Sequence, residues 1–394
     1  MRYRRLAGLI AAGMMMAGAA SADTVRARDL GVPFAGTPGA YNAITDVAGV
    51  EVGYVSLISG EGKLERGKGP VRTGVTAVLP RGKESRTPVY AGWDTSNAAG
   101  EMTGTVWLEE RGLFDGPVMI TNTHSVGVVR DAVVKWLADV NWPGAWFAPI
   151  VAETYDGRLN DINGFHVKTE HAIRAIETAA SGPVAEGNVG GGVGMQCFGF
   201  KGGTGTASRV VEVDGKAYTV GVLVQCNFGM REWLRVAGAP VGEDLAKKYL
   251  AEKPAVETAA HTMMGPADGS IIVVMATDVP MLPHQLKRLA KRAAAGMGRM
   301  GDAGSDGSGD IFVAFSTANG NLASVGGGVI SVETLSNEKL TPIFEAATQA
   351  TEEAITNVLV AAETMTGANG YKVHRLPHAE LRAILKKYGR LAAE

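Results

Sequence analysis

The chain has 394 residues, 46% of them hydrophobic, which is enough to bury one large core or two moderate ones. A formal net charge of -2 and scattered Lys and Arg argue against a nucleic-acid partner. The seven histidines do not cluster, and no Cys/His pattern has zinc spacing. We therefore expect no metal, and nothing in the composition implies an organic cofactor.

The first 22 residues have the pattern of a secretory signal peptide. Arg2, Arg4 and Arg5 precede an apolar stretch over 6–19, and Ala20-Ser21-Ala22 follows as a cleavage site. The stretch is too short to predict a membrane span, and no later apolar run is long enough. We expect a mature chain over 23–394 that is periplasmic or secreted and does not enter the membrane.

Strand-like and helix-like segments alternate along the mature chain. Asp214-Gly215 predicts a hairpin, and several strand runs are apolar nearly throughout, which is typical of strands buried on both faces. The predicted strands are 71–79, 118–121, 209–213, 217–225, 270–276 and 311–316, and the predicted helices are 128–140, 170–180, 283–297, 342–364 and a last one after Pro377. No Pro/Ser-rich linker divides these segments, so we expect one domain, in which two sheets could stack between helix layers. Glu352 and Glu353 are expected on a solvated helix edge.

Two glycine-rich segments, 188–205 and 301–309, predict tight turns and close backbone packing. Neither contains the Gly-Lys-Ser/Thr of a phosphate-binding loop, because Lys201 precedes its glycines. Nucleotide binding is therefore not expected. The two cysteines, Cys197 and Cys226, could pair in an exported protein, but their apolar or glycine-rich surroundings favour buried free thiols.

Residues 265–275 form a turn that delivers Ser270 directly into a β-branched run. One interpretation is a simple loop that enters a buried strand. The other is that the Gly269–Ser270 bond is cut, which leaves Ser270 as a new N-terminus. Such a residue has a hydroxyl nucleophile and an α-amine with a pKa near 8, so it could supply its own general base.

Eight segments decide between these interpretations. They are AGVEVG (48–53), RTGVTAVLP (72–80), TNTHSVG (121–127), ETYDG (153–157), FGFKGGTGTASR (198–209), VQCNFG (224–229), GSIIVVMATD (269–278) and SGDIFVAFSTAN (308–319). In this order they resemble the L-aminopeptidase D-esterase / β-peptidyl aminopeptidase family of self-processing serine peptidases. The resemblance implies a four-layer α/β/β/α sandwich similar to N-terminal-nucleophile hydrolases. It also implies self-cleavage into an α chain (23–269) and a β chain (270–394) that stay associated, with several αβ pairs forming a homo-oligomer.

The resemblance assigns catalytic roles position by position. Ser270 matches the nucleophile and Gly269 the residue before the cut. Ser308 matches a second serine that assists the nucleophile, and Asp310 an acidic residue two positions beyond it. Members of the family carry glutamate at this acidic position, so Asp310 is shorter by one methylene. From the sequence alone, Ser308 could also be a loop serine and Asp310 a strand-entry cap.

Three further residues match parts of the substrate site. Asn227 matches an oxyanion-hole side chain, Glu153 a carboxylate that receives the substrate's amino group, and Tyr155 a tyrosine of the same site. Oxyanion stabilisation needs a fixed donor, and a buried carboxylate would pair with an ammonium. The plainer alternatives are that Asn227 is a turn residue and that Glu153 and Tyr155 are exposed residues at the edge of the turn around Asp156-Gly157. His124 fits a helix entry or a core position, and we leave it out of the site.

The resulting hypothesis is an exported serine aminopeptidase that needs no cofactor. Its partners would be short peptides, amino-acid amides or esters with a free amine. An acyltransferase similar to the ornithine acetyltransferase family is a first alternative, although Ser270 in place of threonine and the signal peptide argue against it. A non-catalytic periplasmic amine-binding protein is a second alternative.

Overall fold

Two β-sheets lie face to face, and helices cover both outer surfaces. The computed structural model describes residues 25–254, 265, 268–324 and 328–392. The signal-peptide prediction falls outside these residues. One sheet has the strand order β1-β2-β5-β6 and the other β4-β3-β12-β11-β10-β9. Neighbouring strands are antiparallel except β5 with β6 and β11 with β12, which are parallel.

The strand bounds follow the apolar runs of the sequence. In β2, β11 and β12 every residue is buried, because each strand packs against a helix layer on one face and the other sheet on its second face. The strands are β1 (Glu51–Ser59), β2 (Val71–Leu79), β3 (Val89–Ala98), β4 (Leu113–Phe114), β5 (Val118–Asn122), β6 (Ile150–Thr154), β7 (Gln196–Cys197), β8 (Phe200–Lys201), β9 (Gly203–Val213), β10 (Lys216–Asn227), β11 (Gly269–Thr277), β12 (Ser308–Ser316), β13 (Met365–Thr366) and β14 (Lys372–Val373). The predicted hairpin is confirmed, with positive φ at both Asp214 and Gly215.

Three apolar cores fill the spaces between the layers. One joins the two sheets, one joins the four-stranded sheet to α2 and α3, and one joins the six-stranded sheet to α5, α6, α7 and α8. The described helices are α1 (Thr105–Arg111), α2 (Val126–Asp139), α3 (Thr169–Glu177), α4 (Val241–Asp244), α5 (Pro283–Ala290), α6 (Arg292–Arg299), α7 (Thr341–Ala361) and α8 (His378–Lys387). This arrangement confirms the α/β/β/α sandwich. The helix predicted over 283–297 is divided in two at Lys291.

The prediction of free thiols was wrong, because Cys197 and Cys226 form a disulfide with their Cα atoms 5.6 Å apart. Cys197 lies on the small β7–β8 hairpin and Cys226 near the end of β10. Their apolar surroundings bury the bonded sulfurs just as they would bury thiols. The sequence pattern therefore could not separate the two states.

The prediction of a solvated edge was also wrong for Glu353, which is completely buried in α7. Its carboxylate accepts hydrogen bonds from Arg28 at 2.7 Å and from Asn42 at 2.6 Å, and it pairs with Arg209 at 2.7 Å. The partners come from distant parts of the chain, so helical periodicity could not reveal them.

No helix within the described parts of the chain is long and apolar enough to cross a membrane. Within the same residues, no group of three or more His, Cys, Asp or Glu side chains is arranged to hold a metal ion.

Candidate active site

Three strand ends meet at one edge of the six-stranded sheet and bring the predicted catalytic residues together. In the antiparallel β10–β11 pair, Asn227 lies opposite Ser270. In the parallel β11–β12 pair, Gly269 lies beside Ser308 and Ser270 beside Gly309. Because β11 and β12 are parallel and adjacent, both begin at this edge, and residues 39 positions apart become neighbours.

Ser270 is buried, and its hydroxyl lies directly against the preceding peptide bond. Its Oγ donates a hydrogen bond to the carbonyl oxygen of Gly269 at 2.6 Å. A Cβ atom at Gly269 would lie 2.1 Å from the carbonyl oxygen of Asn227, so only glycine fits here without displacing the backbone. The uncut chain therefore holds its nucleophile candidate and the bond before it in close contact.

Ser308 and Asp310 form a hydrogen-bonded pair on the neighbouring strand. Ser308 Oγ donates to Asp310 Oδ1 at 2.6 Å, while Asp310 Oδ2 has no hydrogen-bond partner within the described residues. Burial, with a smaller contribution from the negative charge of Asp302, raises the pKa of Asp310 to about 6, against the opposing hydrogen bond from Ser308. Asp310 can thus exchange a proton near neutral pH. Ser308 begins β12 and is not a loop residue.

Asn227 is the last residue of β10, so the interpretation as a turn residue was wrong. Its side chain is nearly buried and held at both ends. Oδ1 accepts a hydrogen bond from the backbone N–H of Gln196 at 2.8 Å, and Nδ2 donates to the carbonyl oxygen of Tyr155 at 3.0 Å. Only one of the two Nδ2–H groups is used in the described structure. The other can serve as a preorganised donor beside Ser270.

Glu153 lies in β6 of the other sheet and is buried, which excludes an exposed turn rim for this residue. Its Oε1 accepts from the backbone N–H of Glu101 at 3.1 Å, and its Oε2 from Thr123 Oγ1 at 2.5 Å. Burial raises its pKa, and these two hydrogen bonds oppose the rise. A Cβ atom at Gly100 would lie 3.1 Å from Glu153 Oε1 and 3.2 Å from Gly309 Cα. The carboxylate and Gly309, near the start of β12, therefore both lie next to Gly100.

Tyr155 lines a cleft that also borders Asp268, the residue before Gly269. Its described lining consists of Tyr155, Arg158, Gly194, Gln196, Gly199, Asn227, Phe228, Gly229 and Asp268. Asn227 belongs both to this lining and to the strand pair that holds Ser270. The cleft is thus continuous with the candidate catalytic residues.

Sequence reasoning missed Asp156, which is completely buried next to Tyr155. It accepts hydrogen bonds from Nδ2 of Asn122 at 2.9 Å and from Nδ2 of Asn160 at 3.0 Å. Burial raises its pKa to about 6. The ETYDG and TNTHSVG segments therefore contact each other, although the Asp-Gly pair had suggested only a turn. His124 lies in the turn that leads into α2, as expected for a helix entry.

A protein-family model matches most of the chain, including every candidate catalytic residue described above. The model of peptidase family S58 matches residues 42–373. This chain belongs to peptidase family S58.

Similar proteins support the assignment. Beta-peptidyl aminopeptidase BapA of Sphingosinicella microcystinivorans is 85% identical, with 100% of both chains covered. The protein of the same name from Sphingosinicella xenopeptidilytica is 47% identical, covering 94% of this chain and 93% of its own. The structure of L-aminopeptidase D-Ala-esterase/amidase from Ochrobactrum anthropi, described as a variant of the Ntn hydrolase fold, has a TM-score of 0.85 at 49% identity, covering 93% of this chain and 99% of its own. The chain is therefore an S58 aminopeptidase, which is a hydrolase.

Proposed function

We propose that this S58 aminopeptidase is exported, cuts itself between Gly269 and Ser270, and then removes N-terminal residues from short peptides, amides or esters with a free amine. The observation that supports this most is the position of Ser270 Oγ, 2.6 Å from the carbonyl oxygen of Gly269, with Asn227 opposite. The family assignment favours this function over both the acyltransferase and the amine-binding protein.

Self-cleavage begins when Ser270 Oγ attacks the carbonyl carbon of Gly269. The C–N bond breaks, an ester forms between Gly269 and Ser270 Oγ, and the hydroxyl proton ends on the released amine. Water then hydrolyses the ester, which leaves a carboxylate on Gly269 and a free hydroxyl and α-amine on Ser270. Asn227 donates to the oxyanion of each tetrahedral intermediate.

Turnover repeats the same chemistry on a substrate. The α-amine of Ser270 accepts the hydroxyl proton, Oγ attacks the substrate carbonyl, and the proton passes to the leaving amine. Water attacks the acyl-enzyme and regenerates Ser270. Ser308 and Asp310 lie beside the nucleophile on β12, where the near-neutral pKa of Asp310 suits it to share protons with this pair.

Glu153 selects the free amine by pairing with the substrate ammonium. The names of the relatives at 85% and 47% identity favour peptides with an N-terminal β-amino acid as substrates.

Export is supported by the signal-peptide pattern and by the Cys197–Cys226 disulfide, because such bonds persist in oxidising compartments. The α and β chains would remain associated after the cut, since both contribute strands to the six-stranded sheet. We extend the proposal to a homo-oligomer of αβ pairs, on the family resemblance alone.

The test is mass spectrometry of purified wild-type protein and of Ser270→Ala, with Ser331→Ala as a matched control on an exposed serine. Wild type and the control should separate under denaturing conditions into pieces that end at Gly269 and begin at Ser270. Ser270→Ala should remain a single inactive chain. Full activity on an amino-acid p-nitroanilide from an uncut wild-type chain would refute the mechanism.

A further inference from the structure

The candidate active site contains a carboxylate, that of Glu153, and a guanidinium, that of Arg158. The guanidinium has no part in the chemistry above. We propose that Arg158 binds the C-terminal carboxylate of a short peptide substrate, so that the enzyme favours free peptides over their C-terminal amides. The proposal rests on the function proposed above and adds the recognition of the leaving group.

Arg158 lines the same cleft as Asn227. It is partly exposed, and it is the only cationic side chain in the described lining of the cleft. The same lining includes Asn227, which pairs with Ser270 across β10 and β11. The positive charge of Arg158 also opposes the rise in the pKa of Tyr155 that burial causes, which places the guanidinium near that phenol.

The hydrogen bonding of Arg158 in the uncut chain leaves room for a stronger partner. Its Nη2 donates to the carbonyl oxygen of Gly265 at 3.1 Å, and no carboxylate forms an ion pair with it within the described residues. A carbonyl is a neutral acceptor, whereas a guanidinium forms shorter and stronger paired hydrogen bonds with a carboxylate. Asp268 lies in the same lining, but its carboxylate accepts from the backbone N–H of Gly265 at 2.7 Å.

The two charges match the two ends of a small peptide. Glu153 and Gly309 of β12 both lie next to Gly100, and Arg158 and Asn227 line one cleft. A dipeptide bound with its ammonium at Glu153 would present its amide to Ser270 and Asn227, and its carboxylate to Arg158. A longer peptide would carry its terminal carboxylate past this position and would lose the contact.

A carboxylate could also come from the protein, because self-cleavage leaves one on Gly269. Both sources offer the same chemistry to Arg158, and substrate comparison separates them. If the carboxylate of Gly269 occupies Arg158, removing the guanidinium affects all substrates alike. If the substrate carboxylate occupies it, only substrates with a free C-terminus are affected strongly.

The experiment compares kcat/KM for a dipeptide, its C-terminal amide and the p-nitroanilide of the same N-terminal residue. The variants are Arg158→Gln, Arg158→Lys and the control Arg130→Gln, an exposed arginine on α2. Arg158→Gln should lower the acid-to-amide ratio of kcat/KM at least about tenfold, as expected for loss of a charged partner. Arg158→Lys should restore part of that ratio, and Arg130→Gln should leave it at the wild-type value.

An acid-to-amide ratio that is the same in Arg158→Gln and wild type would overturn the proposal, whether or not overall activity falls. Mass spectrometry of each variant shows whether processing is complete, because Arg158 contacts Gly265 before the cut. If Arg158→Gln is not processed, the acid-to-amide ratio of kcat/KM is measured for Arg158→Lys instead. A ratio equal to that of wild type in both salt-free and high-salt buffer would likewise overturn the proposal. Absence of p-nitroanilide hydrolysis by the wild type would instead contradict the proposed function.

Discussion

Three buried carboxyl groups lie in the segments that form the candidate active site, and burial raises the pKa of each one: Glu153, Asp156 and Asp310. Their partners differ, and so do the roles that they can have. Asp156 accepts from two asparagine side chains and fixes the chain next to Tyr155. Asp310 has one unpartnered oxygen among the described residues. Glu153 is held by Glu101 and Thr123 and can gain an ammonium partner from the substrate.

Glu153→Gln should impair hydrolysis of free-amine substrates far more than self-cleavage. The uncut chain presents no ammonium at Ser270, whereas a substrate must exchange water around its ammonium for the carboxylate. Loss of that partner should lower kcat/KM by roughly 10²-fold. The measurement is kcat/KM on a p-nitroanilide beside the half-time of processing, with the exposed Glu177→Gln as control. Slower processing with unchanged discrimination against N-acetylated substrate would contradict this role.

Asp310→Asn should be more stable than wild type at neutral pH, and the stability difference between the two proteins should increase as pH rises. The pKa of Asp310 is raised from 3.8 to about 6, so the folded state binds its proton more tightly than the unfolded state. Wild-type stability therefore falls as pH rises from about 4 to about 6, by up to about 3 kcal/mol from this group. Asparagine removes that cost but also removes the titrating proton, so activity should fall. The measurement is urea unfolding of Ser270→Ala and of Ser270→Ala/Asp310→Asn at pH 4 and pH 7, in the background expected to stay uncut. A stability difference between the two proteins that is the same at both pH values would contradict the prediction.

At the scale of elements, the disulfide fixes the β7–β8 hairpin against the end of β10. Cys226 precedes Asn227, and Cys197 follows Gln196, whose backbone N–H is bonded to the Asn227 side chain. The bond therefore constrains both sides of the hydrogen bond that orients the proposed oxyanion donor.

Replacing both Cys197 and Cys226 by alanine should lower the free energy of unfolding by about 3–4 kcal/mol, given a sequence separation of 29 residues. Activity should fall as well, because Asn227 loses its constraint. Guanidinium unfolding of wild type, the double variant and Cys197→Ala alone gives the comparison. The single variant should lose about as much stability as the double one, and an unchanged midpoint in both would show that the bond contributes nothing.

Over the whole molecule, the proposed α and β chains are interleaved in one sheet. The β chain would supply β12 and nearly all of β11, while β3 and β10 on either side come from the α chain. The buried carboxylate of Glu353 adds a charged contact across the same division, since Arg28, Asn42 and Arg209 all belong to the α chain. Separation of the two pieces would require unfolding of the central sheet.

Glu353→Gln should destabilise the molecule by about 3–5 kcal/mol, because Arg209 is only 1% exposed and would remain buried without its counter-charge. Glu352→Gln is the matched control one residue away. Its partner Arg299 is 47% exposed, so the loss there should stay below about 1 kcal/mol. Chemical unfolding of both variants measures the two losses in the free energy of unfolding. Similar losses would show that the buried contacts of Glu353 stabilise the fold no more than the exposed ion pair of Glu352.

The sequence by itself determined the longer buried strands and most of the longer helices, and the family resemblance implied the layer order. Long apolar runs such as 71–79 and 270–276 identify buried strands, and helical periodicity identifies α2 and α7, because these signals are local. It missed β1, β3 and β6, the two-residue strands β4, β7, β8, β13 and β14, and the short helices α1 and α4. In β1 and β3 buried and exposed positions do not alternate regularly, and β6 is a five-residue run whose burial depends on the opposite sheet.

The tertiary structure alone decided which side chains meet. The register of β10, β11 and β12 brings Asn227, Ser270 and Ser308 to one edge, and sheet stacking brings Glu153 to the same place. The disulfide, the burial of Glu353 and the position of Arg158 in the cleft depend on contacts between residues far apart in the chain. Local pattern carries no information about such contacts, because the spacing of residues along the chain does not fix their distance in space.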